Sequence, residues 1–256
     1  MDECSSCGPI STSSIEKVVK KAYNDFWARQ KGSNTCCSDS NVHSTLLKKL
    51  SLRKGMKVLD IGSGSGETVL TIAEKVKPNG KAVGVDFSPD GIALAQDKAR
   101  RRNLDGVAEF HLANAVKLPF SDNYFDAVIS ECVVCLISDK QQALNEKVRV
   151  LKPGGKVVMH DVISLVSMPK IMTENAQLYC GCVGGAVSKE EYIRMMEKAG
   201  LTNIETIDFT EENRKMLNMI ILEAALDIED EQEFQEIISF VRKGGIGYAL
   251  FLGTKG

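Results

Sequence analysis

The sequence predicts a doubly wound α/β fold, a mostly parallel sheet with helices on both faces, and three observations predict it. From Met56 onward, short apolar runs alternate with segments of helical periodicity. The first run ends in the glycine-rich loop Asp60-Ile-Gly-Ser-Gly-Ser-Gly66. The next ends on an acidic residue, Asp86, about twenty residues further on. Alternation of this kind implies parallel strands joined by right-handed crossovers, which lay helices on both faces.

Local signals place each element. Residues 1–14 are rich in Ser, Cys and Gly and read as a poorly ordered arm. Ile15, Val18, Val19, Ala22, Tyr23 and Phe26 recur at helical spacing, which predicts a helix from Ile15 to Trp27. A polar loop follows, Lys31-Gly-Ser-Asn-Thr-Cys-Cys-Ser38, then a short helix from about Ser44 to Leu50. Residues 1–50 thus form a helical arm with a Cys-Cys segment, and residues 51–256 form the main domain.

Met56 to Gly62 is a buried strand, and the helix from Thr68 to Val76 stops at Pro78-Asn-Gly80. Lys81 to Asp86 is the second strand. Ser88-Pro-Asp opens the next helix with a cap and a proline in its first turn. Ala108 to Leu112, Asp126 to Glu131 and Lys156 to Val162 are further strands; a helix from Lys140 to Leu151 is closed by Lys152-Pro-Gly-Gly155. Ile204 to Phe209 and Ile246 to Gly253 bring the strands to seven. The acid-rich helical segment between them, 211–241, reads as a lid or as a cover for one sheet face.

Bulk composition narrows the function. With 256 residues, 43% of them hydrophobic, the chain can bury a sizeable core without metal or disulfide staples. A net charge of −2 gives no electrostatic case for nucleic acid or an acidic membrane. The basic stretch Lys98 to Arg102 reads as a solvated helix face. No apolar run approaches the ~20 residues that span a bilayer, and the N-terminal residues lack the apolar stretch of a secretory signal. A cytoplasmic location is therefore expected. In a reducing compartment the eight cysteines act as thiols rather than as a disulfide frame.

The glycine loop lets backbone turn sharply and approach a ligand, and Asp86 is placed to bind ribose hydroxyls. Asp60, just before the loop, would repel a pyrophosphate. A cationic sulfonium with an amino-acid tail would tolerate it, which favours S-adenosylmethionine over a dinucleotide.

Four ordered motifs, Val58-Leu-Asp-Ile-Gly-Ser-Gly-Ser-Gly66, Gly84-Val-Asp86, Leu118-Pro-Phe-Ser-Asp-Asn-Tyr-Phe-Asp126 and Val150-Leu-Lys-Pro-Gly-Gly155, resemble those of class I S-adenosylmethionine methyltransferases from about Lys54 to Phe209. The resemblance implies a Rossmann-like seven-stranded sheet whose last strand is antiparallel. It also implies a cofactor site drawn from Asp60, Gly62, Ser63, Gly64, Gly66, Asp86, Phe87, Asn114, Ala115 and Glu131. Relatives often carry Asp where this chain has Asn114.

Cys132 ends the fourth strand and Cys182 follows the fifth, at the strand edge where such sheets bind ligands. Soft thiolates near a methyl donor suit a soft acceptor with a lone pair, although free cysteine often only packs. Cys135 reads as packing and Cys180 as a bystander. Cys4 and Cys7 with Cys36 and Cys37 match no zinc-finger spacing well. His43, His111 and His160 are dispersed and receive no catalytic role, though His160 lies near the strand edge; Tyr23 and Trp27 read as the buried stripe of the first helix.

The segments Ser130-Glu-Cys-Val-Val-Cys-Leu136 and Leu178-Tyr-Cys-Gly-Cys-Val-Gly-Gly-Ala186, with Tyr23 preceding Cys36-Cys37, resemble arsenite methyltransferases. Glu131 and Cys135 stand where that family usually shows Asn. The resemblance implies that Cys132, Cys182 and one of Cys36 or Cys37 hold As(III) as substrate, with Cys37 as the catalytic choice. A cellular thiol reductant such as glutathione or thioredoxin would reset the protein. Selenium, tellurium, thiol or quinone-precursor acceptors, and a metal-binding or sensing module, remain the alternatives.

Overall fold

The computed structural model describes residues 12–29 and 40–256. Its seven strands form one sheet in the order β3-β2-β1-β4-β5-β7-β6. They are β1 (Lys57–Ile61), β2 (Lys81–Asp86), β3 (Ala108–Leu112), β4 (Phe125–Glu131), β5 (Leu151–Ser164), β6 (Leu201–Asp208) and β7 (Ile246–Lys255). Neighbours from β3 to β5 pair in parallel, and β7 runs antiparallel between β5 and β6. Strand order reverses between β1 and β4, so a crevice opens at their carboxyl ends.

The helices are α1 (Thr12–Arg29), α2 (Ser40–Leu50), α3 (Glu67–Val76), α4 (Pro89–Arg101), α5 (Lys140–Val150), α6 (Lys170–Glu174), α7 (Ala176–Cys180), α8 (Lys189–Lys198), α9 (Thr210–Ala225) and α10 (Glu231–Arg242). The two-residue period of the strands divides the core. Ala127 and Ile129 of β4 pack in a layer with α1 to α4, α9 and α10, whereas Val128 packs in the opposite layer with α5 and α8, joined there by Phe125 from beyond a register shift. Ser88 caps α4 as predicted, its hydroxyl accepting the Gly91 N–H at 3.2 Å, with Pro89 in the first turn.

Three details depart from the sequence reading. β5 begins at Leu151, which pairs with Phe125, and the register then shifts before Ala127 meets Lys156. Lys152-Pro-Gly-Gly155 is therefore an irregularity inside a strand rather than a stop outside it, a place where Pro and Gly are tolerated. The basic stretch is only partly solvated, because Lys98 and Arg102 reach Glu67 at 2.8 and 2.9 Å and tie α4 to α3. Segment 211–241 resolves into α9 and α10. Leu217, Ile221, Ile237 and Phe240 join the core, so the pair covers the β7 end of one sheet face. Among the described residues no helix is long and apolar enough to cross a membrane.

Candidate active site

A cavity of about 480 Å³ lies at the carboxyl ends of β1, β2 and β4, roofed by α1. None of the residues of α9 or α10 lines it. Its two ends are built differently.

One end is backbone and carboxylate. Gly62, Gly64 and Gly66 have φ of +78°, +48° and +81°. A Cβ on Gly64 would stand 2.4 Å from the Trp27 ring, so both the left-handed backbone and the close approach demand glycine there. Asp86 fastens the loop to β2: its Oδ2 accepts the Gly64 N–H and its Oδ1 the Ser88 N–H, each at 2.8 Å. Burial raises its pKa, and these backbone bonds oppose the rise. The carboxylate's remaining acceptor capacity is open to a ligand hydroxyl.

Asp60 is buried beside it. Burial, then the charges of Glu131 and Asp86, push its carboxyl well above the ordinary range, while Lys147 opposes them. Ser63 Oγ is buried in the same loop without a hydrogen-bond partner among the described residues. An orphaned hydroxyl among acidic groups fits a cationic ligand that carries its own polar tail. Phe87, Asn114 and Ala115 line the cavity as expected. The Asn114 amide donates to Glu16 of α1 at 2.6 Å, and its Oδ1 accepts the Val116 N–H. Tyr23 and Trp27 do more than form the stripe of α1, since both line the cavity.

The other end is a side-chain network. Cys132 directly follows β4, is buried and lines the cavity. Cys182 follows α7 and is buried too; its thiol lies 3.7 Å from the Cys132 carbonyl and 3.7 Å from the Tyr23 hydroxyl. Both cysteines hold the left-handed conformation, φ +53° and +68°, which non-glycine residues rarely adopt and which collects at functional sites.

Cys135 was read as packing, yet it joins them. It sits in the 3-10 turn Val134–Leu136, where burial, then the neighbouring Cys182, raises the pKa of its thiol. Asp161 holds that turn, accepting the N–H groups of Val134 and Cys135 at 2.8 and 3.2 Å. Gly185 meets the Cys135 carbonyl so closely that a Cβ would lie 1.8 Å from it. The loop after α7 is thereby docked on the turn after β4. The Cys180 carbonyl accepts the Tyr23 hydroxyl at 3.2 Å. Cys4, Cys7, Cys36 and Cys37 lie outside the described residues. Among the described residues no group of His, Cys, Asp and Glu is arranged as a metal site.

The histidines require a correction. His111 stands apart, but His43 and His160 converge on Glu131. Its Oε2 lies 3.0 Å from His43 Nδ1 and 2.9 Å from His160 Nε2, while Oε1 accepts the Thr68 hydroxyl at 2.6 Å. Burial disfavours the Glu131 charge, but the hydrogen bonds from His160 and His43 outweigh it and hold the carboxyl well below its usual range. The same bond raises the pKa of His43. The resemblance sets Glu131 at the cofactor; in the structure it lines the cavity as one member of a hydrogen-bonded set. Beyond His160 stands Tyr248 of β7, its hydroxyl 2.6 Å from Nδ1 and 2.8 Å from Cys132 Sγ. Glu131 and His160 are direct register partners on β4 and β5, a pairing legible once both strands are placed. Tyr248 and Asp161 gave no signal. Nor did Lys147, fully buried on the opposite face, where it bonds Ser130 and burial pushes it down to about 8.

Comparison with known proteins adds an independent line. A family model described as a methyltransferase domain matches residues 52–200. An arsenite methyltransferase of Halobacterium salinarum is 35% identical over 151 residues, covering 59% of this chain and 38% of that protein. A ubiquinone/menaquinone biosynthesis C-methyltransferase of Francisella philomiragia is 30% identical over 64% of this chain and 74% of its own. The chain thus matches well under half the length of the first relative. Among solved structures, phosphoethanolamine N-methyltransferase 2 of Haemonchus contortus with S-adenosyl-L-methionine aligns at TM-score 0.69 and 20% identity, covering 96% of this chain and 57% of that one. Geranyl diphosphate C-methyltransferase of Streptomyces coelicolor aligns at 0.71 and 15%, covering 97% and 100%. These two show a shared fold.

Proposed function

Because the chain belongs to the class I S-adenosylmethionine-dependent methyltransferases, whose family model matches most of it, we propose that it transfers a methyl group to trivalent arsenic held by cysteine thiolates. The observation that carries this reading is the convergence of Cys132, which lines the cavity, and Cys182, whose thiol lies 3.7 Å from the Cys132 carbonyl, both buried and both in left-handed backbone. The 35% identity to an arsenite methyltransferase supports it.

S-adenosylmethionine is the cofactor, and when bound it supplies an electrophilic methyl group. Gly62 to Gly66, Asp60 and Ser63 would hold its amino-acid part, Asp86 its ribose hydroxyls, and Phe87, Asn114 and Ala115 would flank its base. Asp60 and Asp86 favour a cation in this end of the cavity. At the other end, Cys132, Cys182 and one of Cys36 or Cys37 displace hydroxide from the metalloid, each thiol proton leaving with a hydroxide as water. The trivalent acceptor brings its own lone pair, so the protein's task is orientation, worth up to about 7–11 kcal/mol in favourable intramolecular cases. Methylation removes two electrons from arsenic formally; two protein thiols return them by forming a disulfide, which glutathione or thioredoxin reopens.

A second reading has its own observation. His160, paired with the Glu131 carboxylate, lines the cavity as a general base would, and quinone-pathway C-methyltransferases are among the relatives. Selenium, tellurium and thiol acceptors belong to the first reading's thiol chemistry. The test is to incubate the reduced protein with S-adenosylmethionine, arsenite and glutathione and to seek methylarsenicals by mass spectrometry. Their formation supports the arsenic reading; their absence, with cofactor binding intact, overturns it.

A further inference from the structure

The network beside Cys132 has a direction. Glu131 is held ionised by its partners and can only accept, so His160 Nε2 must donate to it. In the neutral ring Nδ1 is then the acceptor. The Tyr248 hydroxyl, 2.6 Å away, donates to Nδ1. With its hydrogen committed there, the Tyr248 oxygen faces Cys132 Sγ at 2.8 Å as an acceptor for the thiol hydrogen. The donors therefore run Cys132 to Tyr248 to His160 to Glu131. Thr68 and His43 complete the hydrogen bonds of Glu131 at the far end.

Each member is fixed from several sides. His160, Tyr248 and Cys132 are 1%, 0% and 5% exposed, so water does not compete for these bonds. The Tyr248 ring packs against the imidazole with centroids 5.2 Å apart. The Cys132 N–H donates to the His160 carbonyl at 3.0 Å, so backbone and side chain of the two residues are tied together. Period-two alternation sends His160 to the cavity side and Asp161 to the other, where Asp161 holds the turn carrying Cys135.

We propose that Tyr248 and His160, anchored by Glu131, are positioning residues that hold the sulfur of Cys132 towards the acceptor, so that this cavity-lining thiol, and not Cys182, receives the acceptor first. This rests on the reading that Cys132 binds a soft acceptor. In the binding step the Cys132 S–H and one As–O bond break, the S–As bond forms, and the thiol hydrogen leaves with hydroxide as water. No oxidant is consumed. The bridge therefore orients the free thiol before the acceptor arrives; once the thiol hydrogen has left, Tyr248 keeps only its bond to His160.

Two variants separate this role from simple packing. Tyr248→Phe keeps the ring and removes the bridging oxygen; His160→Gln keeps an acceptor and a donor, whereas His160→Leu has neither. With arsenite alone as probe, association followed by stopped-flow ultraviolet absorbance of arsenic–thiolate bonds should slow about tenfold in Tyr248→Phe and His160→Leu. His160→Gln should recover most of it. Calorimetric affinity for S-adenosylmethionine should stay within about twofold in all three, which also reports that they fold. An unchanged association rate in both Tyr248→Phe and His160→Leu overturns the proposal, as does His160→Gln behaving like His160→Leu. If instead Cys132→Ser binds arsenite as the parent does, the thiol reading itself fails and the bridge with it.

Discussion

The two ends of the cavity solve the same problem, holding a reactive group still, by opposite means. At the glycine-loop end the chain offers backbone, three glycines with positive φ and a carboxylate that ties their loop to β2. At the cysteine end it offers side chains from α2, β4, β5, the loop after α7 and β7, cross-linked through Glu131, His160 and Tyr248. A backbone cradle is encoded in one contiguous stretch and suits a ligand common to many proteins. A network assembled from distant segments is free to vary, and it is where the identity of an acceptor is set.

That contrast can be broken by substitutions confined to one end. The largest effect is expected for Cys182→Ser, which should lower metalloid methylation by on the order of hundredfold or more while leaving S-adenosylmethionine affinity intact. Product analysis alongside calorimetry checks it, and an equal loss of both would show that the ends are not separate. Gly64→Ala should do the reverse. A Cβ there meets Trp27 at 2.4 Å in a left-handed backbone, so cofactor affinity should fall at least about tenfold and stability by about 1–3 kcal/mol. Thermal denaturation and titration with the cofactor measure the two losses. Asp86→Asn is a milder insult: an amide offers one oxygen where two N–H donors wait, and a cofactor Kd raised about three- to tenfold is expected by calorimetry.

The smallest expected effect is a pH dependence confined to the cysteine end. His43 has its pKa raised above 6.5 by Glu131, so its contribution is full below that value and is lost as pH rises through the raised one. Glu131 lies below its ordinary 4.5, so its contribution is present above that value and is lost as pH falls. Their bond therefore stabilises α2 against β4 most between about pH 4.5 and 6.5. The melting temperature of His43→Gln should trail the parent by a few °C in that window and converge with it towards pH 8. A constant difference across the range would remove the ion pair from the account.

How much of this was legible in the sequence follows the same division. The succession of strands along the chain, the glycine loop and Asp86 could be placed because their signals are local: apolar runs, turn residues and a spacing of about twenty residues. Cys132 could be brought to the carboxyl-end edge of the sheet because strand ends are local too. The histidines could not be joined. His43 and Glu131 are 88 residues apart with two complete β-α-β crossovers between them, and only the β4–β5 register makes Glu131 and His160 partners. Tyr248 lies 88 residues beyond His160, in the antiparallel strand, where an apolar run hid its hydroxyl. Cys135 looked like packing because burial alone cannot tell a packed thiol from a bonded one. The Pro-Gly-Gly segment misled because the same residues mark a chain break and a bulge.

The most direct test of the central claim is a competition between acceptors. Reduced protein is given S-adenosylmethionine labelled in its methyl group, with arsenite and glutathione and an equimolar demethylated quinol in the same vessel. The account expects label in methylarsenicals, at a rate set by Cys132 and Cys182 and untouched by the quinol. Label in the quinol, undiminished in Cys132→Ser and lost in His160→Leu, would contradict it and make the His160–Glu131 pair the catalytic base of a carbon methyltransferase.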